Sequence, residues 1–343
     1  MPDPVSDDAA LPTAPGVTVA NYMGLGAAET LRAARLADDL GYGSFWTAEI
    51  VGPEAFALLA AAGGAAPNLA LGSGIIAIQV RSPLLAAMGA ATLQDLYPDR
   101  AVLLGVGISS PVVTNRWHGV PYGDRPLARM REYVALVREL LTGEPVTFAG
   151  DFYQVTKVRI SLPHTPRRPA IVVAALNEGM LRLAGEVADG VVLNYQSPEL
   201  VPWSVAQVRA GAARRGDGSE PTVYCNAHVA VTDRDAGLDE ARADLFSYAV
   251  VDAYAATFER AGFGAEIEAL RAAHRAGDRA GALAAISDAM VDAHNVMGDA
   301  AHVRRTVTAY QDAGTVPVVM PLPFGGDPAT VLTDTLHAAV GKA

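Results

Sequence analysis

The chain of 343 residues contains one cysteine, Cys225. A single thiol excludes an internal disulfide and any thiolate-cage metal site, and it fits a reducing compartment. Lysine is almost absent. Of 26 basic residues only Lys157 and Lys342 are lysines, a bias that, with the abundance of Ala and Gly, reads as codon usage rather than function. Charge of positive sign is short overall, and the net charge of −11 argues against a nucleic-acid or anionic-membrane partner. A local arginine cluster can still hold a small anionic ligand. No apolar run continues for about 18 residues without Gly, Pro or charge, so no span is expected to cross a membrane. Residues 1–16 are acidic and proline-containing and lack the basic and apolar regions of a signal peptide. They read as a loose tail on a soluble, cytoplasmic protein.

Several chemical signatures are also missing. His118, His228 and His294 are scattered, with no HxxxH or HxH spacing, so no metal cage is expected. There is no GxSxG elbow and no Walker loop, and Gly105-Val-Gly107 lacks the third glycine of a dinucleotide fingerprint.

What is present is an alternation of apolar runs and helix-length segments, with 51% hydrophobic residues to fill a core. The stretch Leu69 to Pro111 sets the pattern. Leu69–Ile78 is apolar and β-branched, as a strand buried on both faces requires. Pro83–Asp95 has helix composition with proline in its first turn, and Ala101–Gly107 is a second buried strand. Together they make one right-handed parallel crossover. The same reading along the chain gives strands at Val17–Leu25, Ser44–Ile50, Ala170–Ala174, Gly190–Asn194, Thr222–Val231 and Val316–Pro321. Helices fall between them, among them Ala27–Leu40, closed by Gly41, and the helix after Asp124, its expected cap. Pro145–Pro169 reads as a hairpin excursion. Eight strands alternating with helices are the count of a (β/α)8 TIM barrel with insertions over 17–343. The largest insertion, helical, covers about 233–298 after strand seven, a natural lid or substrate wall. A doubly wound open sheet is the alternative.

Barrel ligands sit at strand carboxyl ends. Those ends carry Glu49; Ser73, Gly74 and Ile75; Gly107, Ile108 and Ser109; Ala175; and Asn194. Ala174-Ala-Leu-Asn-Glu-Gly-Met180 follows a strand and opens a helix, so the N–H groups about Asn177, Glu178, Gly179 and Met180 form an anion site suited to phosphate. A plain connection with Asn177 as N-cap is the competing reading. Glu49, alone among apolar neighbours, is a base or cofactor anchor, or else a salt-bridge partner of Arg81. His118, beside Trp117 in the loop after strand four, is a candidate proton shuttle or merely a solvated side chain.

The chain resembles the luciferase-like monooxygenase superfamily, in its coenzyme F420 (deazaflavin) branch. The carriers are Ala37-Asp-Asp-Leu-Gly-Tyr-Gly-Ser-Phe-Trp-Thr-Ala-Glu49, Leu71-Gly-Ser-Gly-Ile-Ile76 with Arg81-Ser-Pro83, and Thr92-Leu-Gln-Asp-Leu-Tyr-Pro-Asp-Arg100. Further along come Leu104-Gly-Val-Gly-Ile-Ser-Ser-Pro111, Arg125-Pro-Leu-Ala-Arg-Met-Arg-Glu-Tyr133 and Ala184-Gly-Glu-Val-Ala-Asp-Gly190. The resemblance implies a (β/α)8 barrel whose deazaflavin ring lies against a strand-three bulge with a cis peptide, here Gly74–Ile75. It implies a phosphate over Ala175 to Met180 and pairing of two copies through barrel helices two and three. Sugar-phosphate-oxidising members carry a glutamate at the position of Ser110 and a histidine at that of Ile50. Their absence here implies another reaction, the reduction of a C=C or C=N bond in a small molecule. An FMN-dependent monooxygenase and a non-catalytic barrel subunit are the alternatives.

Overall fold

The computed structural model describes residues 10–163 and 165–342. Eight parallel strands close into a barrel: β1 (Gly16–Thr18), β2 (Ser44–Thr47), β3 (Ala70–Ser73), β4 (Val102–Gly107), β5 (Ala170–Ala174), β6 (Gly190–Leu193), β7 (Thr222–Val231) and β8 (Val316–Pro321). Each pairs in parallel with the next, and β8 pairs with β1, Val17 lying opposite Val319. The helices between them are α1 (Ala27–Leu40), α2 (Ala55–Ala65), α3 (Pro83–Leu96), α4 (Pro126–Leu140), α5 (Glu178–Val187), α6 (Val201–Ala212), α7 (Ala300–Asp312) and α8 (Pro328–Val340). The expected TIM barrel is therefore the observed fold, and the open sheet is excluded by closure.

Alternation along each strand divides the side chains between two cores. Outward residues such as Val17, Phe45, Leu71, Leu104 and Val173 pack under the helices. Inward, Trp46, Leu103, Val172, Val192, Tyr224 and Val318 fill the barrel. Trp46 and Tyr224 meet edge to face at 5.1 Å, and the Trp46 indole N–H donates to Ser44 Oγ at 2.8 Å. Leu11 packs beneath this layer and Pro12 O accepts from the Tyr224 hydroxyl. Of the segment expected as a loose tail, residues 1–9 lie outside the described residues, while this part is seated on the barrel.

Three local expectations need correction. The first strand stops at Thr18, because the chain tightens into a 3-10 turn over Ala20–Leu25, with Tyr22 N–H donating to Val19 O. The loop after β4 winds into a π-helical turn at Val112–Trp117. Asp124 does not cap α4; Arg125 occupies that position with φ 45°, and no side chain caps the helix. The hairpin excursion is present as Val146–Ala149 paired antiparallel with Gln154–Val158.

The insertion after β7 holds five α-helices, from Arg234–Ala249 to Asp288–His294, a π-helical turn at Glu259–Phe263, and a short strand Val296–Gly298 that pairs with β7. Its core (Leu245, Phe258, Leu270, Met290) is continuous with barrel residues Tyr195, Leu322 and Phe324.

Candidate active site

The carboxyl ends of β3 and β4 are built almost without side chains. Gly72 lies against the Trp46 ring, where a Cβ would come within 2.5 Å. A Cβ on Gly105 would sit 1.8 Å from the Ser73 carbonyl oxygen, and one on Gly107 would meet Ile75 Cδ1 at 2.7 Å. At Gly105 only glycine allows β3 and β4 to approach this closely, while Gly72 and Gly107 make room for the Trp46 and Ile75 side chains. The Ser73 hydroxyl donates to Gly105 O at 3.0 Å and accepts from Gly105 N–H at 2.9 Å. That pair of bonds fixes the bulge that follows, where the Gly74–Ile75 peptide is cis, as the resemblance implied. Ser73 is thus a positioning residue, its hydroxyl fully engaged. Ile75, Ile108 and Ser109 are half-buried around this rim, and Ser109 N–H donates to Gln79 Oε1.

Glu49, at the end of β2, has both oxygens engaged. Arg81 Nε and Nη2 donate to them at 2.7 and 2.6 Å, and the Ala55 N–H at the start of α2 donates at 3.2 Å. Burial pushes the carboxyl upward, but these bonds outweigh it and hold it below the ordinary carboxylate range. Both oxygens of Glu49 are thus committed to the ion pair with Arg81 and to the start of α2, the salt-bridge arrangement expected as one of its two readings. His118 is exposed, and its Nε2–H donates to Ile50 O at 2.7 Å. It ties the loop after β4 to the end of β2, and the structure places no other candidate site residue in hydrogen-bond contact with it.

Asn177 does not cap α5. Its Nδ2 donates to Ala253 O at 3.1 Å and its Oδ1 accepts from Arg260 Nη2 at 3.2 Å, both in the insertion. The first helical bond runs from Leu181 N–H to Asn177 O, which leaves the N–H groups of Glu178, Gly179 and Met180 outside the helical ladder. Arg260 stacks on Trp203 at 4.0 Å, and its buried Nη1 has no partner among the described residues. Desolvation lowers its pKa, partly offset by Glu178, yet an arginine remains charged. The sequence reading missed Arg260, whose partner lies 83 residues away in the chain.

The ends of β6 and β7 are built in the opposite way. Asn194 Oδ1 accepts from His228 Nε2 at 2.8 Å and from Asn226 Nδ2 at 3.2 Å, while its Nδ2 donates to the Tyr254 hydroxyl at 3.1 Å. Next to it Tyr195 holds a left-handed backbone (φ 49°) that ordinary side chains rarely adopt. This turns its ring against His228 at 4.0 Å and Tyr248 at 4.3 Å, and its hydroxyl donates to Asp244 at 2.6 Å. Asn295 Nδ2 donates to the same carboxylate oxygen at 2.8 Å. Burial drives His228 down to about 3, with a smaller contribution from His294, so the imidazole is neutral. Of this network the sequence reading singled out only Asn194 as a binding residue.

A cavity of about 340 Å³ lies at the other, amino-terminal face, lined by Val205, Arg209, Thr222 and Thr315 among others. It contains none of these groups. No cluster of His, Cys, Asp and Glu that could hold a metal occurs among the described residues.

The chain is similar to known proteins over nearly its whole length. The family model described as luciferase-like monooxygenase matches residues 10–316. A putative coenzyme F420-dependent oxidoreductase of Mycobacterium tuberculosis is 30% identical, covering 83% of this chain and 88% of its own. The 5,10-methylenetetrahydromethanopterin reductase of Archaeoglobus fulgidus is 28% identical, with coverage of 85% and 89%. Among solved structures, the coenzyme F420 dependent tetrahydromethanopterin reductase from Methanopyrus kandleri superposes with a TM-score of 0.76 at 22% identity, covering 96% of this chain and 98% of the other. From the end of the amino-terminal segment to the last barrel strand, the chain belongs to the luciferase-like monooxygenase family.

Proposed function

We propose that the protein is a coenzyme F420-dependent oxidoreductase that moves a hydride between the deazaflavin and a small organic substrate, in the direction that reduces a C=C or C=N bond. One observation carries this reading: a glycine-rich rim at β3 and β4, bordered by Ile75, Ile108 and Ser109, stands together with three unclaimed N–H groups and a half-free arginine at the start of α5. The rim suits a flat ring approached by backbone alone, and the helix start suits a phosphate. The relatives named above favour the deazaflavin over FMN, and two of them are reductases. When bound, the deazaflavin supplies a two-electron hydride carrier at its central ring.

The chain's own residues do the rest. Ser73, Gly74, Ile75, Gly107, Ile108 and Ser109 hold the ring side of the pocket, with the Glu49–Arg81 pair bracing the loop behind it. Ala175, Asn177, Glu178, Gly179 and Met180 hold the anionic tail, with Arg260 completing that site. Asn194 faces the substrate, and the insertion forms the wall that excludes water, so that 17–343 works as one barrel domain. The lone buried thiol of Cys225 fits a cytoplasmic setting. No helix among the described residues is long and apolar enough to cross a membrane. Leu85, Met88 and Leu96 of α3 are each about half exposed (47%, 45% and 54%), an apolar face that a second copy of the chain covers in this reading. Light scattering at micromolar concentration is expected to give a dimer mass; a monomer would remove that part.

The test is to titrate the purified protein separately with reduced F420 and reduced FMN. Saturable F420 binding alone is the expected result. It should weaken about tenfold in Gly179→Pro, which removes one N–H from the anion site. Binding of FMN with oxygen consumption would move the protein to the monooxygenases. Binding of neither would make it a non-catalytic barrel.

A further inference from the structure

In a closed eight-stranded barrel β3 and β7 lie across the axis from each other, so a ring held against the β3 bulge faces the wall made by β6, β7 and the insertion. That wall presents the hydroxyl of Tyr254, whose proton is not committed to Asn194. Asn194 Oδ1 already has two donors, His228 Nε2 and Asn226 Nδ2, which forces its Nδ2 toward Tyr254. The Tyr254 oxygen is therefore an acceptor of that bond, and among the described residues its own O–H has no acceptor. The parity of β7 places Asn226 and His228 on the inward face with Tyr224, so the Tyr254 hydroxyl reaches the barrel mouth through Asn194. The Tyr254 ring is held edge to face by Tyr248 at 4.8 Å and Tyr195 at 5.8 Å. The charged group nearest this wall, Asp244, is engaged by Tyr195 and Asn295.

We propose that Tyr254 is the hydrogen-bond and proton donor to the substrate, and that this wall selects a neutral, planar, conjugated molecule with one acceptor atom, a carbonyl oxygen or an imine nitrogen. The inference rests on the hydride-transfer reading above. The hydride adds to the carbon end of the conjugated system, whose π bond breaks and places the electron pair on the acceptor atom. That atom takes the Tyr254 proton, and the phenolate, steadied by the Asn194 N–H, recovers a proton from water. Substrate gains one hydride and one proton, the deazaflavin is oxidised by two electrons, and no other reactant is needed. The aromatic edges of Tyr248 and Tyr254 disfavour charged substrates, because Asp244, the carboxylate of this network, is already engaged by Tyr195 and Asn295.

Cyclohex-2-en-1-one serves as the probe, with its carbonyl stretch read by infrared difference spectroscopy in the protein without cofactor and again with F420 added. In the wild type the stretch of the bound ketone should move to lower frequency. In Tyr254→Phe the shift should disappear, with the ketone bound about tenfold more weakly and F420 affinity unchanged. Replacement of Tyr254 by 3-fluorotyrosine, a more acidic phenol of nearly the same shape, should lower the stretch further, and it decides the matter if the phenylalanine variant does not fold. An unshifted carbonyl in the wild type, the same shift in Tyr254→Phe, or no saturable binding of the ketone overturns the proposal. Failure of F420 to bind, with the carbonyl shift intact, removes only the cofactor reading.

Discussion

The two sides of the barrel mouth are made of opposite materials. At β3 and β4 the chain removes side chains: Gly105 lets backbone approach backbone, while Gly72 and Gly107 make room for the side chains of Trp46 and Ile75. At β6 and β7 it adds them, and Asn194, Asn226, His228 and Tyr195 form a buried network that extends to Asp244, Tyr254 and Asn295 of the insertion. A surface of main-chain groups is nearly the same for any sequence that can adopt it, so it suits a constant ligand. A surface of side chains changes with every substitution, so it suits the ligand that differs between relatives. The contrast explains how one barrel can keep a cofactor and vary a substrate.

The comparison breaks most easily on the glycine side. Gly105→Ala places a methyl group 1.8 Å from the Ser73 carbonyl oxygen, a clash with backbone that no rotamer relieves. It should cost about 3 kcal/mol or more, at the upper end of overpacking, and abolish cofactor binding. Asn194→Ala on the other side leaves buried donors on His228 and Asn226 unmet and should cost about 1–3 kcal/mol. Urea unfolding of the two variants measures both. Equal tolerance of the two substitutions would mean the two sides are not built on different principles.

Acidification sharpens the comparison, because the buried histidines lie in the side-chain half. His228 is held down to about 3 and His294 to about 4, in both cases chiefly by burial. Their unfolded values lie near 6.5, so the unfolded chain binds the proton first. Stability is then complete above about pH 6.5 and falls as the pH drops toward 4 and 3, by at most about 1.4 kcal/mol per pH unit for each histidine. Asp244 works in the other direction: burial raises its carboxyl, so its contribution is present at low pH and lost as the pH rises through its folded value. Unfolding midpoints between about pH 7 and pH 5 should fall, and His228→Gln, which keeps a donor for Asn194, should flatten the slope by one histidine's share. A slope unchanged in that variant would show that His228 is not the buried neutral base described.

The same contrast marks what was legible in the sequence. The β3–β4 side could be read because glycines, apolar runs and Ser73 lie within about one crossover unit, where local pattern and structure coincide. The eight strands and the place of the insertion were legible for the same reason. Their ends were less so: Val17–Leu25 looks extended until Tyr22 folds back on Val19, and nothing in Val112–Trp117 announces a π turn. Asn177 was ambiguous because its side-chain partners are 76 and 83 residues away. The Asn194 network joins residues 32 to 60 apart, and Glu49 required a choice between Arg81 and catalysis that only the fold could make. Pairing over such separations leaves no periodic trace.

The smallest effect concerns motion, and it divides the side-chain half itself. The helix Arg234–Ala249 buries Gly237, Ala241, Leu245 and Phe246 and shares its core with the barrel. The following stretch, Asp252 to Phe263, seats Ala255 and Phe258 in the same core, but its second half, Glu259–Phe263, buries no residue. It contains a kink at Gly262 (φ 102°). Side-chain bonds join it to the strand ends: Asn177 to Ala253 O, Arg260 to Asn177 and Asn194 to Tyr254. It also carries the two residues that would touch both ligands, Arg260 at the anion site and Tyr254 at the substrate. A segment held by a few polar bonds opens at lower free energy than one held by buried apolar area. Substrate must enter somewhere, and the glycine rim has no side chain to swing aside. Amide exchange in the empty protein should therefore be faster across 259–263 than across β3, β4 and Arg234–Ala249, and it should slow when cofactor and ketone are both present. If 259–263 is as protected as β3 and β4 without ligand, the whole insertion is a fixed wall and entry takes another path.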